Sequence, residues 1–180
     1  KGFQEIPENE FRKFKTTVRE EIDQPMLEEI LPLGTKLKDI WWESRGGRIR
    51  LPEHVSDEKY RNSEIHGDPG ITFGRQIGAY PILVGVPYAV PLESGSDIIV
   101  TGHGMRSISG IEYGLDINSA TKSQLQALPG IGDKASWKII SNRARRMNKN
   151  RGSFKSVEEA FSEAGVKMPP LASEVFVTTY

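Results

Sequence analysis

The sequence predicts an α+β fold, in which a small closed β-barrel follows N-terminal helices and precedes an all-α module. Three observations predict it: helical spacing of apolar residues near the start, short apolar runs separated by Gly and Pro in the middle, and two helical segments around a Pro- and Gly-rich turn near the end. We therefore expect three domains at 1–33, 34–114 and 115–180, the second interrupted by a long polar insertion at 48–69.

The first domain carries the pattern of two acidic helices. Phe11, Phe14, Val18 and Ile22 recur at intervals of three and four, with charged residues between them. Pro25 stands where a second, shorter helix would begin, because proline suits the first turn of a helix. Nothing in this segment suggests chemistry, and we interpret its helices as packing elements or as the tail of a preceding domain.

The middle segment reads as short strands. Short strands punctuated by Gly and Pro suggest a small closed barrel. The candidate strands are 36–43, 71–73, 82–86, 97–101 and 107–111.

The turn at 128–132 is the most specific feature of the chain. Before it, Thr121 and Gln124 have the spacing of a capping box, which opens a short helix. After it, apolar residues at helical spacing predict a second helix over 133–146. The sequence therefore predicts two helices joined by a tight turn.

The glycines of this turn predict an anion site. Glycine at 130 and 132 permits positive φ and leaves no Cβ over the turn. We therefore expect Ile131 to point inward and the three amides of 130–132 to point outward. Free amides beside the N-terminus of a helix attract a phosphate, and Lys134 adds charge there. The structural alternative is a compact docking unit with no ligand.

Charge favours a polyanionic partner. The whole chain is neutral, yet residues 116–155 hold nine Lys and Arg against two Asp, a net charge of +7. Trp137 lies off the apolar helix face, where it either stacks on a base or, as we favour, packs against the barrel. The candidate contacts in this module are Gly130, Ile131, Gly132, Lys134, Lys138, Arg143, Arg145 and Arg146.

Together these residues resemble a helix-hairpin-helix module of the kind found in DNA-uptake receptors of competent bacteria. The resemblance spans roughly residues 115–177 and rests on 117–121, Leu125, 128–132, 139–140 and 152–156. It implies binding to a nucleic-acid backbone without reading sequence. Such modules usually hold two hairpins, but the second turn here, 165–170, has prolines in place of the second glycine. We therefore expect only the first hairpin to contact phosphate.

The middle segment resembles a TRAM domain, a small RNA-binding barrel of the OB type found on tRNA-modifying enzymes. The run 72–85, with 103–107, is also similar to the C-terminal region of archaeal radical-SAM proteins, and 18–27 has a counterpart there. The resemblance implies a nucleic-acid contact on the barrel, where an Arg suits a phosphate and an aromatic ring suits a base. The candidates are Arg75, Gln76, Tyr80, His103 and Arg106.

The chain lacks the means for radical-SAM chemistry of its own. It contains no Cys, so the iron–sulfur cluster and S-adenosylmethionine would belong to an N-terminal half outside this sequence. We see no catalytic set and no metal-ligand spacing, and we predict a chain that is not an enzyme and needs no cofactor.

We interpret the chain as a cytoplasmic accessory region with no membrane segment. It would hold a DNA or RNA backbone for a catalytic domain of the same polypeptide. The alternative is a protein-docking or structural region that orients that catalytic domain. The sequence does not decide between DNA and RNA.

Overall fold

A computed structural model describes residues 7–46, 70–78 and 81–179. Five strands close into a barrel, with helices before and after it, and this confirms the predicted α+β class. The predicted insertion at 48–69 and Tyr80 lie outside the described residues. The domain limits at 33/34 and 114/115 stay a prediction.

The barrel strands neighbour one another in the order β1-β2-β3-β5-β4, and β4 pairs back with β1. Strands β3 and β5 run parallel, whereas the other neighbouring pairs are antiparallel. The strands are β1 Lys36–Gly46, β2 Ile71–Gln76, β3 Leu83–Val86, β4 Gly95–His103 and β5 Ser107–Glu112.

Strand β1 shows why this sequence closes a barrel. Its Trp42 is fully buried and donates its indole N–H to the Ser96 Oγ at 2.7 Å, whereas the neighbouring Trp41 faces outward. Opposite them on β2, a Cβ built at Gly74 would lie 2.4 Å from the Trp41 carbonyl oxygen. Only glycine permits this approach, so Gly74 allows β2 to pack closely against β1 where the two strands pair.

The N-terminal region is one helical path and not the two separate helices that the sequence predicts. Helix α1, Glu8–Val18, continues through a π-helical turn, Arg19–Asp23, into α2, Gln24–Ile30. Pro25 does not begin a new helix, because Asp23 and Gln24 already have helical dihedral angles and the Gln24 N–H bonds the Arg19 carbonyl. The π turn thus carries the chain past a residue that has no N–H to donate.

The helical path contacts the barrel only near its end. Leu27 and Leu31 are buried, whereas no residue of α1 is. His103 on β4 lies with its Nε2 2.6 Å from the Leu31 carbonyl oxygen, which joins the two elements. Within the described residues, Phe11 and Phe14 of α1 face solvent, so of the two interpretations this helix fits the tail of a preceding domain better than a packing element of this chain.

The C-terminal module is built of short helices tied by a two-stranded sheet. Its strands β6, Leu115–Asp116, and β7, Phe176–Val177, pair in parallel and bring the two ends of the module together. One buried cluster runs from the barrel through the module. The helices are α3 Lys122–Ala127, α4 Asp133–Asn148, α5 Val157–Ala164 and α6 Ala172–Val175.

Candidate nucleic-acid interface

The hairpin between α3 and α4 forms as the sequence predicts. The Thr121 hydroxyl accepts from the Gln124 N–H at 3.2 Å, and the Gln124 side chain accepts from the Thr121 N–H at 2.8 Å. Both halves of the capping box are therefore present, and they fix the start of α3. Ile131 is 4% exposed and anchors the turn between the two helices.

The two glycines of the turn have different conformations. Gly130 has φ +97°, and a Cβ there would approach the ring of Pro169 at 3.4 Å. Gly132 has φ −89° and ψ −176°, and a Cβ there would meet nothing. Of the two glycines, only Gly130 therefore uses positive φ, whereas Gly132 is extended because it is the N-cap of α4.

Two of the three predicted amides remain available to a ligand. The Ile131 N–H donates to the Leu128 carbonyl at 3.1 Å, because the turn closes on itself there. The Gly130 and Gly132 N–H groups have no hydrogen-bond partner among the described residues. Gly132 also gives α4 no side-chain cap, so the positive end of a 16-residue helix is left uncovered.

Three of the predicted basic residues form an exposed stripe on α4. Lys134, Lys138 and Arg145 lie within about 40° of one another around the helix axis, and all three are exposed. No ion-pair partner appears for them in the described part of the chain. This basic stripe begins beside the uncovered amides and extends along α4 from there.

Arg143 points away from the stripe. Its Nη1 donates to the carbonyl oxygens of Ala120, at 3.0 Å, and Ile117, at 3.4 Å. Burial lowers the pKa of Arg143, and the charge of Asp116 opposes that shift. The guanidinium therefore ties α4 to the segment before α3, and the side chain is only half-exposed to a ligand.

Arg146 lies in the interior of the module. Its Nη1 pairs with Glu159 at 2.8 Å and Glu163 at 2.6 Å, and its other nitrogens donate to the Gly152 and Ser153 carbonyls at 3.1 and 3.2 Å. The two carboxylates raise its pKa, Glu163 most strongly. The structure thus gives Arg146 a structural position, joining α4 to α5, and not the surface position that its charge suggested.

A buried lysine beside the hairpin was missed as a site residue. Lys122 on α3 has a side chain only 8% exposed, and its Nζ lies 2.5 Å from Oδ1 of Asp133, the first residue of α4. The same Nζ lies 5.0 Å from the centre of the Trp137 ring. The contact gives Trp137 a partner off the apolar face of α4. The turn around Lys122 is polar in sequence, so nothing local marked this lysine as buried.

Two of the five barrel candidates, Arg75 and Arg106, come together, but with acidic neighbours. Arg75 and Arg106 line one cavity of about 410 Å³ between α2 and the barrel. Arg106 pairs with Asp23, and the Arg75 Nε lies 3.4 Å from Glu43. Gln76 donates weakly to the Lys38 carbonyl at 3.4 Å, His103 bonds α2 as described above, and Tyr80 lies outside the described residues.

The described residues contain no group of His, Asp and Glu that could hold a metal ion. In the same residues, no helix combines the length and apolar character needed to cross a bilayer.

Comparison with known proteins agrees on the hairpin. Residues 111–160 match the family model of the helix-hairpin-helix motif, which confirms that part of the resemblance. A motif of this kind suggests nucleic-acid binding. No solved structure shows a significant similarity to the chain.

Two archaeal relatives match a longer part of the chain than the motif does. An uncharacterized protein of Archaeoglobus fulgidus is 37% identical over 121 residues, which is 67% of this chain and 18% of the relative. An uncharacterized protein of Methanocaldococcus jannaschii is 34% identical over 101 residues, which is 56% of this chain and 15% of the relative. The chain therefore spans less than a fifth of the length of these relatives, and their names say nothing of radical-SAM chemistry or of a TRAM domain.

Proposed function

We propose that the chain binds the backbone of a nucleic acid without reading its sequence. The observation that carries the proposal is the uncovered N-terminus of α4, where the Gly130 and Gly132 amides lack partners and the basic stripe begins. A phosphate oxygen accepts from such amides and gains from the helix dipole. Contacts of this type position a backbone and carry no sequence information.

The charge distribution supports the same partner. Arg143 and Arg146 bond the protein itself, yet Lys134, Lys138 and Arg145 remain exposed on one face. A phosphate held at the hairpin would have its neighbours along this stripe. Affinity would then depend steeply on salt, because each neutralised phosphate releases counterions.

The test is binding to duplex DNA and to a folded RNA across a salt series, for wild type and for Lys134→Gln/Lys138→Gln. On DNA we expect the logarithmic salt slope to fall by about 1.8 in the variant, since each lost phosphate contact removes about 0.9. Lys13→Gln/Lys15→Gln on α1 removes the same charge at exposed positions away from the hairpin. Absence of binding to either ligand at low salt would end the proposal, and the tighter ligand names the substrate class.

We also propose a place for the chain in a larger protein. On the sequence resemblance, it is a non-catalytic, cytoplasmic accessory region, with a TRAM-like barrel, of a radical-SAM enzyme whose cluster and S-adenosylmethionine bind elsewhere. The much greater length of the archaeal relatives leaves room for a catalytic domain. In this arrangement Arg75, Tyr80 and Arg106 would add a contact on the barrel. Mass spectrometry of tRNA from cells lacking the full gene tests it, with a missing modified nucleoside as the expected result.

A second candidate function is docking of that catalytic domain, and the N-terminal helix favours it. Large apolar side chains are exposed along the path: Phe11, Phe14, Ile22, Met26, Ile30 and Leu33. An apolar stripe of this extent is typical of a protein contact. Co-purification of the chain with the remainder of the full protein, expressed separately, should be lost in Phe11→Glu/Phe14→Glu and kept in Lys134→Gln/Lys138→Gln. If wild type and both variants co-purify equally well with the remainder of the protein, docking through α1 is ruled out.

A further inference from the structure

We propose that Lys122 is a positioning residue of the phosphate site, which acts by neutralising Asp133 at the entrance to the helix N-terminus. The inference rests on the proposed nucleic-acid binding and specifies how the hairpin tolerates an acidic residue at its anion site.

Asp133 is placed where a phosphate should arrive. It is the first residue of α4, directly after the Gly132 amide, and its side chain is 66% exposed. A carboxylate at a helix N-terminus stabilises the helix by the same interaction that would attract a phosphate. Left alone, this carboxylate would both occupy the positive helix end and repel the ligand.

Lys122 on α3 neutralises the charge of the Asp133 carboxylate. Its ammonium is 2.5 Å from the Asp133 Oδ1, so the pair is in direct contact. Lysine is almost never buried without a partner, because desolvation of its charge is costly. The ion pair and the Trp137 ring, 5.0 Å from Nζ, supply that compensation and hold the carboxylate toward α3.

Lys122 does not reach the ligand itself. Its side chain is 8% exposed, whereas the residues of the basic stripe are exposed. Its effect on binding must therefore pass through Asp133. This separates it from Lys134 and Lys138, whose charges would face the phosphates directly.

A double-mutant cycle tests the inference, with duplex DNA at low salt as the ligand. Lys122→Met should weaken binding about tenfold, because the Asp133 carboxylate then lacks its ammonium partner close to the phosphate. Asp133→Asn should bind within about twofold of wild type, because Lys122 already neutralises the carboxylate that this change removes. Lys122→Met/Asp133→Asn has the wild-type net charge. It should return to within about twofold of wild type, because the carboxylate that Lys122 neutralises is also gone.

The controls separate this mechanism from its rivals. Lys167→Met removes the same charge from an exposed position on the second turn and should change affinity much less. If Lys122 touched phosphate directly, Asp133→Asn would not rescue Lys122→Met, and the inference would be overturned. Thermal unfolding of each variant identifies losses caused by misfolding. Should Lys122→Met fail to fold, Asp133→Asn decides alone, because binding more than about twofold weaker than wild type contradicts the proposed role.

If wild type itself binds no nucleic acid, the proposed function fails, and the inference fails with it. If wild type binds and the cycle shows no coupling, only the inference is wrong.

Discussion

Arg145 and Arg146 are adjacent on α4 and have opposite environments. One helix step turns a side chain by about 100°, and this is enough to place Arg145 in solvent and Arg146 between Glu159 and Glu163. Residue type therefore does not decide which arginine can meet a phosphate. The partner carboxylates lie 13 and 17 residues further along the chain, so a local reading could not identify the buried one.

These two arginines give a paired prediction. Arg146→Met should lower the midpoint of thermal unfolding by several degrees, because it leaves two carboxylates and two carbonyls without their donor. Arg145→Met should leave the midpoint unchanged and weaken binding to DNA. Differential scanning calorimetry and a binding titration on both variants check this, and the reverse assignment of effects would refute the structural position of Arg146.

The glycines of the hairpin give a second prediction at this scale. Gly130→Ala should reduce the free energy of unfolding by about 1–2 kcal/mol, the cost of a left-handed conformation with a Cβ. Gly132→Ala should cost less, since its backbone is extended and its Cβ would meet no atom. Denaturant unfolding measures both, and equal losses would contradict the difference in φ between the two positions.

At the scale of elements, periodicity predicted the helices and strands that the local sequence specifies. The capping box, α4 and the barrel strands formed close to their expected positions, because spacing and turn chemistry specify them. The N-terminal helices were predicted less well. A proline normally marks a helix start, and no sequence signal announced the π turn at Arg19–Asp23 that carries the helix through it.

The alternation of side chains along β1 limits where its two adjacent tryptophans can point. Successive residues of a strand face opposite sides, so one of two adjacent tryptophans had to point outward. The structure buries Trp42 and leaves Trp41 41% exposed. Which of the two enters the core depends on the pairing of β1 with β2 and β4, and this is not encoded locally.

The Asn118 side chain ties the connection between α4 and α5 to the segment before α3. The Asn118 Oδ1 accepts from the Phe154 N–H at 2.8 Å, and its Nδ2 donates to the Phe154 carbonyl at 3.2 Å. Asn118→Ala should lower the free energy of unfolding by about 1–3 kcal/mol, because both backbone groups lose their partner in a buried place. Chemical denaturation measures it, and a change below about 0.5 kcal/mol, typical of surface positions, would argue against this bridge.

Strand β5 gives a prediction about pH. Burial raises the pKa of Glu112, although hydrogen bonds from Ser96 and Tyr88 oppose the shift. An acid with a raised folded-state pKa stabilises the fold below its unfolded value of 4.5 and loses that contribution as pH rises through the folded value.

Glu112→Gln should therefore remove a decline in stability that wild type shows from about pH 4.5 upward, because glutamine keeps a polar group without the charge. The measurement is the midpoint of thermal unfolding between pH 4 and 8 for both proteins. Parallel curves would mean that Glu112 is not the group responsible.

At the scale of the whole molecule, a neutral chain contains two parts of opposite charge. Residues 116–155 carry +7, so the remainder carries −7. The basic part coincides with the helix-hairpin-helix match, and three of its exposed charges, Lys134, Lys138 and Arg145, lie on one face of α4. Such an arrangement directs a polyanion to one end of the molecule and away from the rest.

The measurement that tests this account most directly is DNA binding by Gly132→Asp. The backbone of Gly132 already has N-cap geometry, so an aspartate there should cap α4 from its own side chain and keep the fold. Its carboxylate would bond an amide of the first turn of α4, that of Lys134 or Ala135, and would place a negative charge beside the Gly130 and Gly132 amides proposed to hold phosphate. Gln126→Glu, an exposed position on α3, introduces the same change in charge nearby without capping α4.

We expect Gly132→Asp to unfold at the wild-type midpoint or above it and to lose at least tenfold in affinity for duplex DNA, while Gln126→Glu loses much less. A folded Gly132→Asp that binds DNA as wild type does, with the same salt slope, would show that the hairpin amides are not the anchor.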